Sequence, residues 1–117
     1  MAMLATEVRR RAPTARLVFV DYTTVLPASG TCATLSLTAA QAEVARIINR
    51  RVVELTARAA RATGSGYLAA SALTADHNAC SAAPWVNGAA PVDGAAFHPR
   101  LEAHTAIAKA LEKLIWP

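Results

Sequence analysis

Short apolar runs and longer helical periodicities alternate along the chain, and together they predict a mixed α/β fold. Residues 1–11 have a helical pattern that ends before Pro13. The four consecutive apolar residues 17–20 are typical of a strand buried in a parallel sheet. An aperiodic stretch from 21 to 37 follows, and its proline and glycine predict a long loop.

The central helix is predicted from a start signal, a stop signal and an apolar stripe. Thr38 and Gln41 have the spacing of a capping box, and Gly64 follows the last helical residue, near position 63. We expect one stripe of this helix to be buried, and it consists of Val44, Ile47, Ile48, Leu55 and Ala59.

The remaining elements complete the fold prediction. Residues 67–70 predict a second, weaker strand, and Pro99 is expected in the first turn of a final helix. The stripe of that helix expected to face inward consists of Leu101, His104, Ala108, Leu111 and Ile115. This order of elements predicts the closing, C-terminal half of a three-layer α/β/α sandwich with parallel strands, a partial domain over 1–117.

Composition and charge indicate a core-forming chain without a membrane span. Apolar residues make up 54% of the sequence and charged residues 17%, and no apolar run approaches the roughly 20 residues that a transmembrane helix needs. Glu7 and Arg9 interrupt the start too early for a signal peptide. Because the pattern places the start of the chain within a helix, we expect its domain to begin upstream.

The net charge of +4 permits binding to an anion, and the central helix carries the face where this would happen. In that face, Glu54 is expected to pair with Arg50 or Arg58. No aromatic residue or glycine-rich loop accompanies these charges, so we predict a solvated face and no nucleic-acid partner. The face consists of Arg46, Arg50, Glu54, Arg58 and Arg61.

His98 is the main candidate for chemistry. It lies in the loop after the second predicted strand, and functional groups of parallel sheets gather where strands end. Pro99 restricts its backbone. A neutral imidazole in this place is suited to general-base catalysis, although it could also cap the final helix.

A zinc site is the alternative interpretation of the histidines. His77 and Cys80 have ligand-like spacing, but His98 and His104 are expected on different faces of the helix start. We therefore predict no metal and no cofactor. His104 is expected to be a buried histidine bonded to backbone, and His77 to order its loop.

Three segments, His77–Ser81, Pro84–Gly88 and Phe97–Pro99, resemble in this order the C-terminal blocks of secreted SGNH (GDSL) esterases and lipases of the actinobacterial type. The resemblance extends more loosely upstream, to the first strand, Tyr22, Leu26-Pro27 and Cys32. It implies a flavodoxin-like sandwich, carboxylic ester hydrolysis and the general-base role for His98. The family's GDS(L) serine, oxyanion-hole glycine and GxND asparagine lie in the N-terminal half of its domain and have no counterpart here.

The resemblance also implies how the histidine is oriented. The family often has an aspartate three residues before the histidine, where this chain has Ala95. Either the backbone carbonyl of Ala95 or the carboxylate of Asp93 would then hold the second ring nitrogen. Arg100 and Ala103 stand where the family usually has asparagine and glycine.

Other roles follow from the same resemblance. One wall of the substrate pocket would contain His77, Trp85, Asn87 and Phe97, although Trp85 could equally fix its loop to the core. Cys32 and Cys80 would form a disulfide, which implies a parent protein that works outside the cytoplasm.

No serine of the chain has the setting of a nucleophile. Ser65 precedes a predicted strand, whereas the nucleophile elbow of hydrolases follows one, and neither Ser71 nor Ser81 is predicted on such a turn. We therefore expect a segment that is inactive alone, whose substrate is an ester or lipid and whose partner is the missing N-terminal half. A non-catalytic binding module, a truncated remnant of the fold and an anion-binding protein remain alternatives.

Overall fold

The computed structural model describes residues 1–116. It contains four α-helices and two strands in the order α1 (Ala2–Arg11), β1 (Val18–Val20), α2 (Ala39–Ala62), β2 (Gly66–Leu68), α3 (Ala70–Leu73) and α4 (Leu101–Ile115). Short 3-10 turns lie at Ala33–Leu35 and Ala75–His77. No helix among residues 1–116 has the length and apolar character that crossing a bilayer requires.

The two strands form a parallel pair, with Phe19 opposite Tyr67. Helix α2 connects them and packs against both. This is the βαβ unit of an α/β protein, and it confirms the predicted fold class. Within residues 1–116 the sheet has two strands, so each strand has one edge without a partner.

Helix α2 begins where the capping box predicts. The Thr38 side chain accepts a hydrogen bond from the Gln41 backbone at 3.2 Å, and the Gln41 side chain accepts one from the Thr38 backbone at 2.9 Å. Gly64 follows the helix with a φ of 58°, a conformation that glycine adopts without strain.

The face of α2 that is buried differs from the prediction. Of the predicted stripe, Ala59 is buried, but Val44, Ile47, Ile48 and Leu55 are 56, 52, 59 and 38% exposed. The face that packs inward is instead built from small residues, which let the helix approach the sheet closely. They are Ala42, Thr56, Ala59 and Ala60.

Helix α4 also differs from its prediction. Its buried residue is Ala103, whereas Leu101 is 71% exposed and both His104 and Ala108 are exposed. The prediction that His104 is buried and bonded to backbone is therefore wrong. The helix begins one residue after Arg100, so Pro99 precedes the helix and is not in its first turn.

A buried apolar cluster lies under the loops at the carboxyl ends of the strands. Its buried members come from both long loops and from the first turn of α2, and half-buried Phe97 packs against them. The cluster comprises Val25, Leu26, Leu35, Ala42, Ala79 and Val86. This cluster thus supports the segment that carries His98, because Phe97 packs against it.

Candidate active site

Two short segments pair beside each other and fix the backbone around His98. Val86 and Pro99 form an antiparallel bridge. The Asn87 backbone N–H donates to the His98 carbonyl at 3.0 Å, and the Phe97 N–H donates to the Gly88 carbonyl at 3.2 Å. These bonds hold both flanks of the histidine.

The imidazole of His98 is held by a main-chain oxygen. Its Nδ1 lies 2.7 Å from the carbonyl oxygen of Ala96. A carbonyl can only accept, so this contact requires a proton on Nδ1 and leaves the lone pair on Nε2. The side chain is exposed, so Nε2 is accessible to a reacting group.

Neither of the two predicted orienting groups contacts the ring. The Ala95 carbonyl accepts instead from the Asn87 side chain at 3.1 Å and from the His98 backbone at 3.3 Å. The Asp93 carboxylate lies 3.6 Å from the Arg100 guanidinium. The expected Ala95 contact is therefore corrected to Ala96.

An unusual backbone conformation at Phe97 accompanies the change of the ring's partner from Ala95 to Ala96. Phe97 has a φ of 60°, in the left-handed region that residues other than glycine rarely occupy. The Tyr22 hydroxyl donates to the Phe97 carbonyl at 3.4 Å, and the Phe97 side chain packs on the apolar cluster. Such strain persists only where surrounding contacts over-determine it, and here it lies next to the candidate base.

An apolar cavity of about 580 Å³ adjoins His98. Its walls come from the loop after β1, the first half of α2 and the segment 96–98. Tyr22, which is 41% exposed, also lines it, and burial raises the pKa of its hydroxyl. The other lining side chains are mainly aliphatic and include Leu26, Leu37, Ile48 and Val52. The cavity therefore suits an uncharged, apolar group.

Of the four residues predicted for the pocket wall, Phe97 lines this cavity. Asn87 is 3% exposed, and its amide bonds to the backbone of the 92–95 loop, so it anchors that loop from inside. His77 and Trp85 stack on each other with ring centroids 3.7 Å apart. The His77 Nδ1 lies 2.9 Å from the Ala83 carbonyl, which agrees with its expected loop-ordering role.

Cys32 and Cys80 form a disulfide with their Cα atoms 5.8 Å apart, as expected. The bond ties the 3-10 turn before α2 to the loop that precedes Trp85. It also removes Cys80 as a thiolate ligand, and among residues 1–116 no three His, Cys, Asp or Glu side chains are grouped to hold a metal ion.

Ser71 lies in a setting that the sequence did not reveal. It is the third residue after β2 and lies in the first turn of α3, so it is close to a strand-to-helix turn. Its hydroxyl donates to the buried carboxylate of Asp21 at 2.6 Å, and so does the Tyr67 hydroxyl. Because the Ser71 proton is bonded to Asp21 and not to His98, the local geometry does not make Ser71 a nucleophile for that base.

The arginine face of α2 is partly structural. The Arg46 side chain is 11% exposed and donates to Glu43 at 3.0 Å and to the Gly30 carbonyl at 2.7 Å. The bond from Arg46 lowers the pKa of Glu43. Glu54 pairs with Arg51 at 3.4 Å, so the predicted pairs with Arg50 or Arg58 are wrong. Arg46 therefore holds a loop and is not available to an anionic partner.

Solved structures with the same arrangement of elements include two Streptomyces enzymes. Phospholipase A1 from Streptomyces albidoflavus NA297 superposes with a TM-score of 0.83 at 21% identity, over 96% of this chain. The extracellular lipase from Streptomyces rimosus superposes with a TM-score of 0.77 at 23% identity, over 97%. This chain has the fold of about half of each of these two enzymes.

The chain spans about half the length of these enzymes, 48% of the phospholipase and 47% of the lipase. The resemblance to esterases and lipases that the sequence indicates is thus confirmed for the fold, and the part matched is consistent with one half of it. No protein-family model and no curated protein matches the sequence.

Proposed function

We propose that this chain is the C-terminal segment of an SGNH-type serine hydrolase of carboxylic or lipid esters, and that His98 is its general base. The observation that carries the proposal is the 2.7 Å contact between His98 Nδ1 and the Ala96 carbonyl, at the rim of an apolar cavity. The lipase fold of the chain supports it.

The chemistry follows from the tautomer. With the proton of neutral His98 on Nδ1, Nε2 would accept the proton of a serine hydroxyl as that oxygen attacks the ester carbonyl. The imidazolium so formed would be stabilised by the Ala96 carbonyl dipole and would return the proton to the leaving alcohol. By the family resemblance, the serine and the oxyanion donors would come from a segment that precedes this one.

The surface of the chain supports a covering partner of that kind. Its accessible area is 7283 Å², against about 6,100 Å² for a compact monomer of 12.2 kDa. Its radius of gyration is 15.6 Å, where a compact domain of this length has about 13 Å. The excess surface includes the apolar stripe of α2 and the unpaired edge of β1, which together would accept a further parallel strand and its helix.

The disulfide supports secretion of the parent protein. Disulfides form and persist in oxidising compartments, and the Cys32–Cys80 bond crosslinks the two loops next to the candidate site. We propose that the enzyme acts outside the cytoplasm.

A chimera tests the catalytic role. The matching half of the S. albidoflavus phospholipase A1 would be replaced by this chain, and ester hydrolysis measured with short-chain and phospholipid substrates. We expect turnover that His98→Ala lowers at least about 10³-fold. The matched control is His104→Ala, an exposed histidine on α4, which should leave turnover unchanged. Equal rates for the two variants would contradict the role of His98.

A second test needs the chain alone. Nitrogen NMR at a pH where imidazoles are neutral should find His98 protonated at Nδ1, and a fluorophosphonate should label none of its serines. A His98 protonated at Nε2 would contradict the proposal, because Nε2 could not then accept a proton. Label on Ser71 would instead indicate a complete, small esterase.

A further inference from the structure

We infer that Asn87 is a positioning residue for His98, because it decides which main-chain carbonyl holds the imidazole ring. The Asn87 side chain occupies the carbonyl of Ala95, and the ring then takes the carbonyl of Ala96. The positioning follows from the geometry of the chain, and only the use of His98 as a base rests on the proposed function.

The Ala95 carbonyl is fully used by groups other than the ring. The Asn87 Nδ2 donates to it at 3.1 Å, and the His98 backbone N–H donates to it at 3.3 Å. A carbonyl oxygen has two lone pairs, and these two bonds occupy both of them. The His98 Nδ1 lies instead 2.7 Å from the next carbonyl along the chain, that of Ala96. The bond from Asn87 therefore directs the ring to Ala96.

Asn87 also holds both ends of the strained segment that carries the ring. Phe97, with its φ of 60°, lies between the two contact points. The Asn87 side chain binds the Ala95 carbonyl before it, and the Asn87 backbone N–H donates to the His98 carbonyl after it at 3.0 Å. Such a conformation persists only where surrounding contacts impose it. Loss of the side-chain bonds would free one end of the segment, and the ring would lose its fixed partner.

The amide of Asn87 has the donors that this position requires. The residue is 3% exposed, and its Nδ2 donates to the carbonyls of Asp93 and Ala95. Its Oδ1 accepts from the Val92 N–H at 3.2 Å. An aspartate has the same size, but its ionised carboxylate has no donor and would face two carbonyl oxygens. Asn87→Asp therefore removes the hold on the Ala95 carbonyl and keeps the acceptor for Val92.

Nitrogen NMR of the whole chain at about pH 9 tests the inference, since imidazoles are then neutral and an aspartate is ionised. We expect wild-type His98 to be protonated at Nδ1, and we expect Asn87→Asp to shift most of it to the Nε2 tautomer. His77 is the internal standard, because its Nδ1 lies 2.9 Å from the Ala83 carbonyl, in a contact separate from the segment 95–98. It should keep its Nδ1 proton in both proteins.

Asn78→Asp is the matched control, because Asn78 also orders a loop through its amide. Its Nδ2 donates to the Ala75 carbonyl at 3.0 Å, and its Oδ1 accepts from the Cys80 N–H at 3.0 Å. The substitution removes a donor in the same way but outside the segment 95–98, so it should leave His98 protonated at Nδ1. A His98 that keeps its Nδ1 proton in Asn87→Asp, or loses it equally in Asn78→Asp, would overturn the inference.

In the chimera with the phospholipase, the same two variants separate positioning from loop order. Asn87→Asp should lower kcat roughly tenfold or more and leave KM nearly unchanged, because the tautomer acts in proton transfer and not in substrate binding. Asn78→Asp should leave both constants unchanged. An equal loss of kcat in the two variants would assign the effect to loop order and contradict the inference.

A measurement on the wild-type chain keeps the inference testable if Asn87→Asp does not fold. Scalar couplings across hydrogen bonds should connect the Asn87 Nδ2 to the Ala95 carbonyl carbon, and the His98 Nδ1 to the Ala96 carbonyl carbon. Absence of the first coupling with the second present would overturn the inference and leave the catalytic proposal intact. Because the tautomer and the couplings are measured without turnover, the inference can also hold where the chimera shows no role of His98 in hydrolysis.

Discussion

Gly88 shows how a single residue determines where His98 lies. A Cβ added to Gly88 would stand 2.3 Å from the Thr34 carbonyl oxygen, and backbone cannot move away as a side-chain end can. The Gly88 carbonyl also accepts from Phe97, and the next residue, Ala89, donates to Thr34. Gly88 thus lies between the loop before α2 and the candidate base.

We predict that Gly88→Ala lowers the free energy of unfolding by about 3 kcal/mol through this overlap. Urea unfolding measures it. Gly30→Ala is the control, because a Cβ there meets no atom within 4 Å and the left-handed backbone alone should cost about 1 kcal/mol. If both variants lost equal stability, the contact with Thr34 would not be the reason.

The single side chain of Tyr67 makes the stability of the fold depend on pH. Burial, and then the hydrogen bond to Asp21, raise the pKa of the Tyr67 hydroxyl from 10.0 to about 12. The folded chain therefore favours protonated tyrosine. Its contribution to stability is complete below pH 10 and is lost as the pH rises from 10 to 12.

We predict that the free energy of unfolding of Tyr67→Phe falls less steeply over pH 10 to 12 than that of the wild type. Charges elsewhere titrate alike in both proteins, so the difference isolates Tyr67. Tyr22→Phe should keep the part of the fall due to Tyr67 and lose only the smaller part due to Tyr22, whose pKa is also raised by burial. An unchanged slope in Tyr67→Phe would contradict the raised pKa.

Among the elements, those with a local signal could be predicted and those that depend on packing could not. The capping box of α2 and the apolar run of β1 lie within a few residues, and both elements form where expected. The buried face of α2 could not be found this way. An apolar stripe shows which face avoids water, but not whether the same chain covers it, and in α2 alanines pack inward while the larger side chains remain outside.

The site was predictable to a similar extent. The sequence indicated His98 as the candidate base, which stays a prediction, and, through the resemblance, the Cys32–Cys80 bond, which is confirmed. The Ala96 contact was missed because it occurs together with a positive φ at Phe97, a position where no glycine signals such a conformation. The structural role of Asn87 was also missed, since its three bonds to loop backbone exist only after folding.

The disulfide links the loop before α2 to the loop after α3, so its effect concerns the way these elements are held together. Cys32 and Cys80 are 48 residues apart, and closing such a loop removes entropy from the unfolded chain worth about 4 kcal/mol. We predict that Cys32→Ser with Cys80→Ser loses about this much stability in urea unfolding. Adding reductant to the wild type should give a matching loss, and addition of reductant to the variant should change nothing. Stability that is unaffected by both changes would show that the loops are held by packing alone.

At the scale of the whole molecule, the strands, helices and site loops form one half of a lipase fold. The chain exposes more surface than a compact protein of the same mass. Among residues 1–116 the two-stranded sheet has free edges, and α2 exposes apolar side chains over three turns. Parallel sheets are normally covered on both faces. We therefore expect the isolated chain to bury this surface against whatever apolar face it meets, and the first available face is that of a second copy.

We predict that the chain self-associates as its concentration rises and that Ile48→Asp with Leu55→Asp abolishes the association. Sedimentation velocity should then find a monomer of 12.2 kDa. Both side chains are exposed, 59 and 38%, so the variant should unfold at the same urea concentration as the dilute wild type. Met3→Asp with Leu4→Asp is the control, because these residues are even more exposed, 87 and 66%, but lie on α1 outside the stripe. If this control abolished association just as well, self-association would reflect general stickiness and not the face of α2 that the missing half is proposed to cover.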